Sequence, residues 1–173
     1  FKNYINILAN ALPSYHETIL DVADAANKIQ EFPEVLINKL IDYCEYTDDA
    51  EEQYKIISYL VRFKNSTDRP QDALHYLQTL AGAFEDELVL SYLFAITYEK
   101  LNMITYVEKF YNLALEQMAP ELELVTDFVN FYLKQGEVKK AFEVAEKYKN
   151  SIYDTAQLKN LRNQMRKTLS RDF

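Results

Sequence analysis

An all-α fold of stacked antiparallel helix pairs, an α-solenoid of about ten helices, is what this sequence predicts. Three observations carry that prediction. The chain uses only two glycines and four prolines in 173 residues, too little punctuation for a series of β-hairpins. It repeats itself: residues 122–155 laid under 88–121, a shift of 122 − 88 = 34, bring Tyr132 under Tyr98, Gly136 under Asn102, Val138 under Ile104 and Ala141 under Val107. A third copy, 54–87, places Asp68, Pro70 and Ala73 in register with Asn102, Ile104 and Val107. The aligned residues Asp68, Asn102 and Gly136 are the types that best tolerate a left-handed backbone, so each closes one helix before the next begins.

Taken in order, residues 1–12 predict a short helix with Phe1, Tyr4, Ile5, Leu8 and Leu12 on one side. Ser14 and Glu17, after Pro13, form a capping-box pattern that opens a helix carrying Ile19, Leu20, Ala23, Ala26 and Ile29. The helix after Pro33 matches the one after Pro70, setting Leu36, Leu40 and Tyr43 on Ala73, Leu77 and Leu80, but at a shift of 70 − 33 = 37. The three extra residues belong in the "CEYTDDAEE" connection. Acids in "TDDAEE", "FEDELV" and "APELEL" open the first helices of the three regular pairs, where they cap free N–H groups and complement the helix dipole. Their spacing is not that of a calcium loop. Pro70 sits just inside a second helix, where a missing N–H is harmless. Residues 153–170 predict a terminal capping helix with Leu158, Leu161, Met165 and Leu169 as its apolar stripe. The whole is expected to be one domain over 1–173, with a degenerate repeat at 14–53 and regular repeats at 54–87, 88–121 and 122–155. The opening at Phe1, with no initiator Met, is what a segment excised from a longer protein would show.

The period, the helix–turn–helix unit and the small residue early in each second helix resemble the tetratricopeptide repeat. The resemblance is clear over 54–155 and looser over 14–53. Leu60, Phe94 and Phe128 stand at the family's large apolar position of the first helix. Ala73, Val107 and Ala141 stand at its small position of the second, and "YLKQG" is typical of its turn. Ile57, Ser91 and Val125 replace the family's tryptophan, while Val61 and Val129 widen a position usually held by Gly or Ala, so a related helical repeat with wider helix spacing is also compatible. The resemblance implies a right-handed solenoid whose first helices line a concave face. Carried over residue by residue, it places Lys55, Ser58, Tyr59 and Arg62, then Tyr92, Leu93, Ile96 and Glu99, then Thr126, Asp127, Asn130 and Lys134 on that face. Such a lining suits an extended or helical peptide, with tyrosines as contact area and Arg62 for a carboxylate. The family's clamp for chaperone C-termini is absent: its positions hold Ser58, Arg62, Leu93, Glu123 and Asp127.

Charge and motifs narrow the function. Residues 1–146 carry 25 acids and 12 bases, 12 − 25 = −13, and residues 147–173 carry 2 acids and 7 bases, 7 − 2 = +5. An acidic body argues against nucleic acid, which needs a basic surface, although the basic tail could meet an anionic one. No apolar run reaches the 18 or so residues of a membrane span. Cys44, the single cysteine, lies among apolar residues and reads as a small buried hydrophobe. His16 and His75 have no nucleophile or carboxylate set around them by a motif, and there is no phosphate loop, CxxC or HExxH, so no enzyme, cofactor, metal or small-molecule substrate is expected. The expected function is a protein-interaction module that takes a peptide or helical segment of another protein in its groove, as adaptor or scaffold. Its rivals are a structural subunit that packs through its outer and terminal surfaces, homo-oligomer included, and the ligand-sensing part of a multidomain regulator. A cytoplasmic location is favoured.

Overall fold

The structure is a computed structural model that describes residues 2–13, 17–81, 87–117, 121–150 and 156–169. Among the described residues it is all-α, with ten helices in chain order. They are α1 (Lys2–Ala11), α2 (Thr18–Ile29), α3 (Glu34–Tyr46), α4 (Ala50–Ser66), α5 (Pro70–Leu80), α6 (Ser91–Lys100), α7 (Ile104–Gln117), α8 (Leu122–Lys134), α9 (Val138–Tyr148) and α10 (Ala156–Leu169). Four helix–turn–helix pairs follow: α2/α3, α4/α5, α6/α7 and α8/α9. Each pair stacks on the next, α3 against α4, α5 against α6 and α7 against α8, while α1 covers the first pair and α10 the last.

The turns use the residues that the repeat marks. Asp68, Asn102 and Gly136 all have positive φ, at 58°, 57° and 77°. The next residue's N–H then returns to a carbonyl of the last helical turn: Arg69 to Lys64, Met103 to Tyr98 and Glu137 to Tyr132, at 2.8, 2.9 and 2.9 Å. That bond satisfies a carbonyl the helix end would otherwise strand. The first pair closes the same way at Gln30, φ 54°, with the Glu31 N–H on the Ala26 carbonyl at 3.0 Å. Glutamine is no turn residue by type, and the spacing to Asp68 is 68 − 30 = 38, which is why the repeat pattern does not single it out.

Other local expectations resolve element by element. Pro70 is the first residue of α5, and the Asp49 carboxylate caps α4 by accepting the Glu51 and Glu52 N–H groups at 2.9 and 3.1 Å. Gln53 turns back to donate to the Thr47 carbonyl at 2.8 Å and the Cys44 carbonyl at 3.3 Å, which seals the longer α3–α4 connection. Leu36, Leu40 and Tyr43 are buried, as are Ala73, Leu77 and Leu80. Ile19, Ala23 and Ala26 of α2 are fully buried, whereas Ser14 of the expected capping box, the residues 84–86 and 119–120 of two acidic starts, and 153–155 of the capping helix lie outside the described residues. Tyr4 departs from expectation: it is 60% exposed, because α1 turns Ile5 and Ala9 inward against α2 and α3. A 3₁₀ turn, Glu87–Leu90, delays the start of α6 to Ser91.

The core divides at α6. One cluster runs from α1 to α5 and ends on Leu90 and Leu93; the other runs from Tyr92 and Ala95 to Leu158 and Met165. The family-like positions are inside it: Leu60, Ala73, Val107 and Ala141 are fully buried, Phe128 is nearly so, and Phe94 is half-buried against Phe110 and Tyr98. Cys44 is buried, and burial pushes its thiol up to about 11, so it behaves as a hydrophobe. Lys64 is the surprise of the core. It stands in register with Tyr98 and Tyr132 of the next two pairs and is buried, its ammonium lying over the Phe63 and Tyr76 rings at 5.9 and 5.7 Å.

Candidate partner-binding face

Polar side chains on α2, α4, α6 and α8, the first helices of successive pairs, meet one another and so mark out a shared face. That face is knitted by polar side chains from helices that the sequence keeps far apart. On α4, the Lys55 ammonium meets the Asp24 carboxylate of α2 at 2.9 Å, and the Tyr59 hydroxyl donates to the same group at 2.7 Å. Burial alone would raise the Asp24 carboxyl, but Lys55 and Tyr59 outweigh it and hold the group low. Burial and the Asp24 charge push the Tyr59 phenol up to about 12.

One turn further on, the Arg62 guanidinium reaches past α6 to Glu123 in the first turn of α8, with two bonds of 2.6 and 3.3 Å. It is oriented by its own surroundings as well: its Nε donates to Ser58 Oγ at 3.3 Å, and its plane lies 5.5 Å from the centre of the Tyr92 ring. Tyr92 then donates to Asp127 of α8 at 2.7 Å. Burial raises both groups, the Tyr92 phenol far above its ordinary range and the Asp127 carboxyl above its own, where Glu123 and Glu99 add to the effect. At the far end, Glu99 of α6 accepts from Lys134 of α8 at 2.6 Å and from Tyr111 of α7 at 3.1 Å.

Three clefts open between these ties. The largest, about 780 Å³, is lined by Ile96, Lys100, Asp127, Asn130 and Lys134 among others. A second, about 460 Å³, shares Ile96, Lys100 and Asp127 with it and extends over Arg62 and Asn65 to Asn27 of α2. The third, about 360 Å³, lies along α8 between Glu123 and Asn130. The clefts adjoin through shared lining residues on α6 and α8, and Asn65 Oδ1 and Thr126 Oγ1, buried beneath that lining, have no hydrogen-bond partner among the described residues.

Of the residues expected on the concave face, Arg62, Ile96, Glu99, Thr126, Asp127, Asn130 and Lys134 line these clefts. Lys55, Ser58 and Tyr59 are half-buried and engaged with Asp24 or Arg62. Two placements differ from a free lining. Tyr92 is only 4% exposed, a core residue whose hydroxyl alone is polar, and Leu93 is wholly buried against the preceding pairs. Sequence reasoning missed Asp24, because α2 belongs to the degenerate repeat, and Lys100, which makes no ion pair among the described residues. His75 lies exposed on α5, and His16 falls outside the described residues. No group of three or more His, Cys, Asp or Glu side chains that could hold a metal ion occurs among the described residues.

No helix among the described residues is long and apolar enough to cross a membrane. Comparison with known proteins gives no match, whether to a family model, a curated protein or a solved structure.

Proposed function

We propose that this chain is a protein-interaction module of the tetratricopeptide-repeat kind, a right-handed solenoid that holds a segment of another protein against the inner face of α4, α6 and α8. The observation that carries this reading is that the clefts adjoin, Ile96, Lys100 and Asp127 bordering two of them and Asp127 and Asn130 bordering the third, which supports taking them together as one trough. The trough mixes aliphatic, amide and charged groups without a nucleophile and base poised on each other, which suits recognition better than catalysis. The left-handed turns at a 34-residue interval and the small buried residues Ala73 and Ala141 support the choice of repeat family.

The reading is tested by affinity capture with the purified chain, with bound proteins quantified for the parent and for Lys100→Glu combined with Asn130→Trp. Both residues border the trough and neither is buried, so folding should survive. Proteins that use the inner face are lost with the variant; an unchanged set of bound proteins rejects the proposal.

A second reading rests on a different observation. Tyr4, Ile7 and Tyr46 are large apolar side chains 60–65% exposed, and none of them lines the trough. They suit a structural subunit that packs through its outer and terminal surfaces. Under that reading the trough variant is silent, and Tyr4→Ser with Ile7→Ser disrupts assembly.

A further inference from the structure

We infer that Glu123 is an internal competitor at a carboxylate-binding site centred on Arg62, and that an acidic side chain within an extended partner segment displaces it. The inference rests on the inner-face reading above. Arg62 is held in place without Glu123: Ser58 Oγ accepts from its Nε at 3.3 Å, and the Tyr92 ring supports its plane at 5.5 Å. Glu123 is much less constrained, its side chain 55% exposed against 35% for Arg62, and it meets the guanidinium across a separation of 123 − 62 = 61 residues. An exposed pair of this kind is weak and readily exchanged for another carboxylate of the same geometry.

The surroundings select the occupant. The Arg62–Glu123 pair stands between the cleft lined by Arg62, Asn65 and Lys100 and the cleft lined by Glu123, Thr126 and Asn130, with Asp127 common to both. Lys100 gives the first cleft a second cation. Because the trough continues on both sides of Arg62, from Asn27 to Lys134, a chain passes through the site instead of ending there. An internal glutamate or aspartate therefore fits it better than a chain terminus.

The test is NMR titration of the full chain with blocked acetyl-Ala-Glu-Ala-amide at constant ionic strength, following the Arg62 Nε–H and Asn65 Nδ2–H₂ signals. Acetyl-Ala-Gln-Ala-amide and acetyl-Ala-Gln-Ala with a free terminus are the controls. Glu123→Gln should bind the glutamyl peptide about two- to fivefold more tightly than the parent, the range expected for removal of an exposed ion pair. Lys100→Gln should weaken it, and the free-terminus control should bind less well. Equal affinity in the parent and Glu123→Gln, or shifts that persist in Arg62→Gln, overturns the inference. Since the probe needs no natural partner, that failure is distinct from failure of the inner-face reading, which shows as partner capture indifferent to Lys100 and Asn130.

Discussion

Asn102 and Gly136, 34 residues apart, hold nearly the same left-handed backbone, φ 57° and 77°, and each ends the first helix of its pair. Around Gly136 nothing lies within 4 Å of where a Cβ would sit, so a side chain there meets strain and no clash. Gly136→Ala should therefore lower stability by about 1–2 kcal/mol, with Gly136→Asn losing clearly less. Gln30, in the same conformation without a residue type suited to it, gives the reverse: Gln30→Gly should gain about 0.5 kcal/mol. Urea unfolding midpoints of the three variants check all of this.

The stacked cores make a sharper demand. Phe128 is 1% exposed and lies on Tyr111 with ring centres 4.8 Å apart, so Phe128→Ala should cost about 3–5 kcal/mol. Ala141, fully buried early in α9, has the opposite sensitivity. Ala141→Leu should cost about 1–3 kcal/mol by forcing α8 and α9 apart. Thermal unfolding of each variant checks the pair, and tolerance of leucine at 141 would mean the helices are not in close contact.

Asp49 offers a test at a helix end. Its carboxylate accepts two N–H groups of α4, so Asp49→Ala should lose about 1 kcal/mol while Asp49→Ser retains most of it. Chemical denaturation of the two variants against the parent measures the difference.

Two aspartates of the inner face should show opposite pH dependence. Asp24 is held below its unfolded value of 3.8, so its contribution is present above that pH and is lost as pH falls through the lowered folded value. Asp24→Asn should destabilise at pH 7 by less than about 1 kcal/mol, since the pair with Lys55 is over a third exposed, and should make no difference in strong acid. Asp127 is raised above 3.8, so ionising it works against folding, and its penalty grows as pH rises from 3.8 through the raised value. Asp127→Asn keeps an acceptor for Tyr92 and should gain on the parent over that window. Urea unfolding at several pH values from strong acid to pH 7 gives both slopes, and slopes of the same sign would contradict the placement of one of the two groups.

Much of the scaffold was legible because its signals are local. Residue type alone marks Asp68, Asn102 and Gly136 as turns, Pro70 as a helix start and the acids of "TDDAEE" as capping groups, of which Asp49 makes the cap, and the geometry at each is set within a few residues. The inner face was legible as a set of positions but not as a set of contacts. Asp24 with Lys55, Tyr92 with Asp127 and Arg62 with Glu123 join residues 31, 35 and 61 apart, and how far such side chains reach depends on the curvature of the stack, which a period of 34 does not encode. Tyr92 and Thr126 are buried at positions expected to face the groove, and the local sequence gives no sign that Lys64 is buried over two aromatic rings.

The central claim is that α4, α6 and α8 present one common inner face, and cross-linking from Arg62 to Glu123 tests it most directly. In a Cys44→Ser background, Arg62→Cys with Glu123→Cys should link within one chain through a short bismaleimide, because the two side chains meet across α6. The control pairs Arg62→Cys with Lys139→Cys, on the exposed side of α9. Rapid intramolecular linkage of the first pair and little of the second is the expected result; equal yields from both would contradict the shared face and the trough that depends on it.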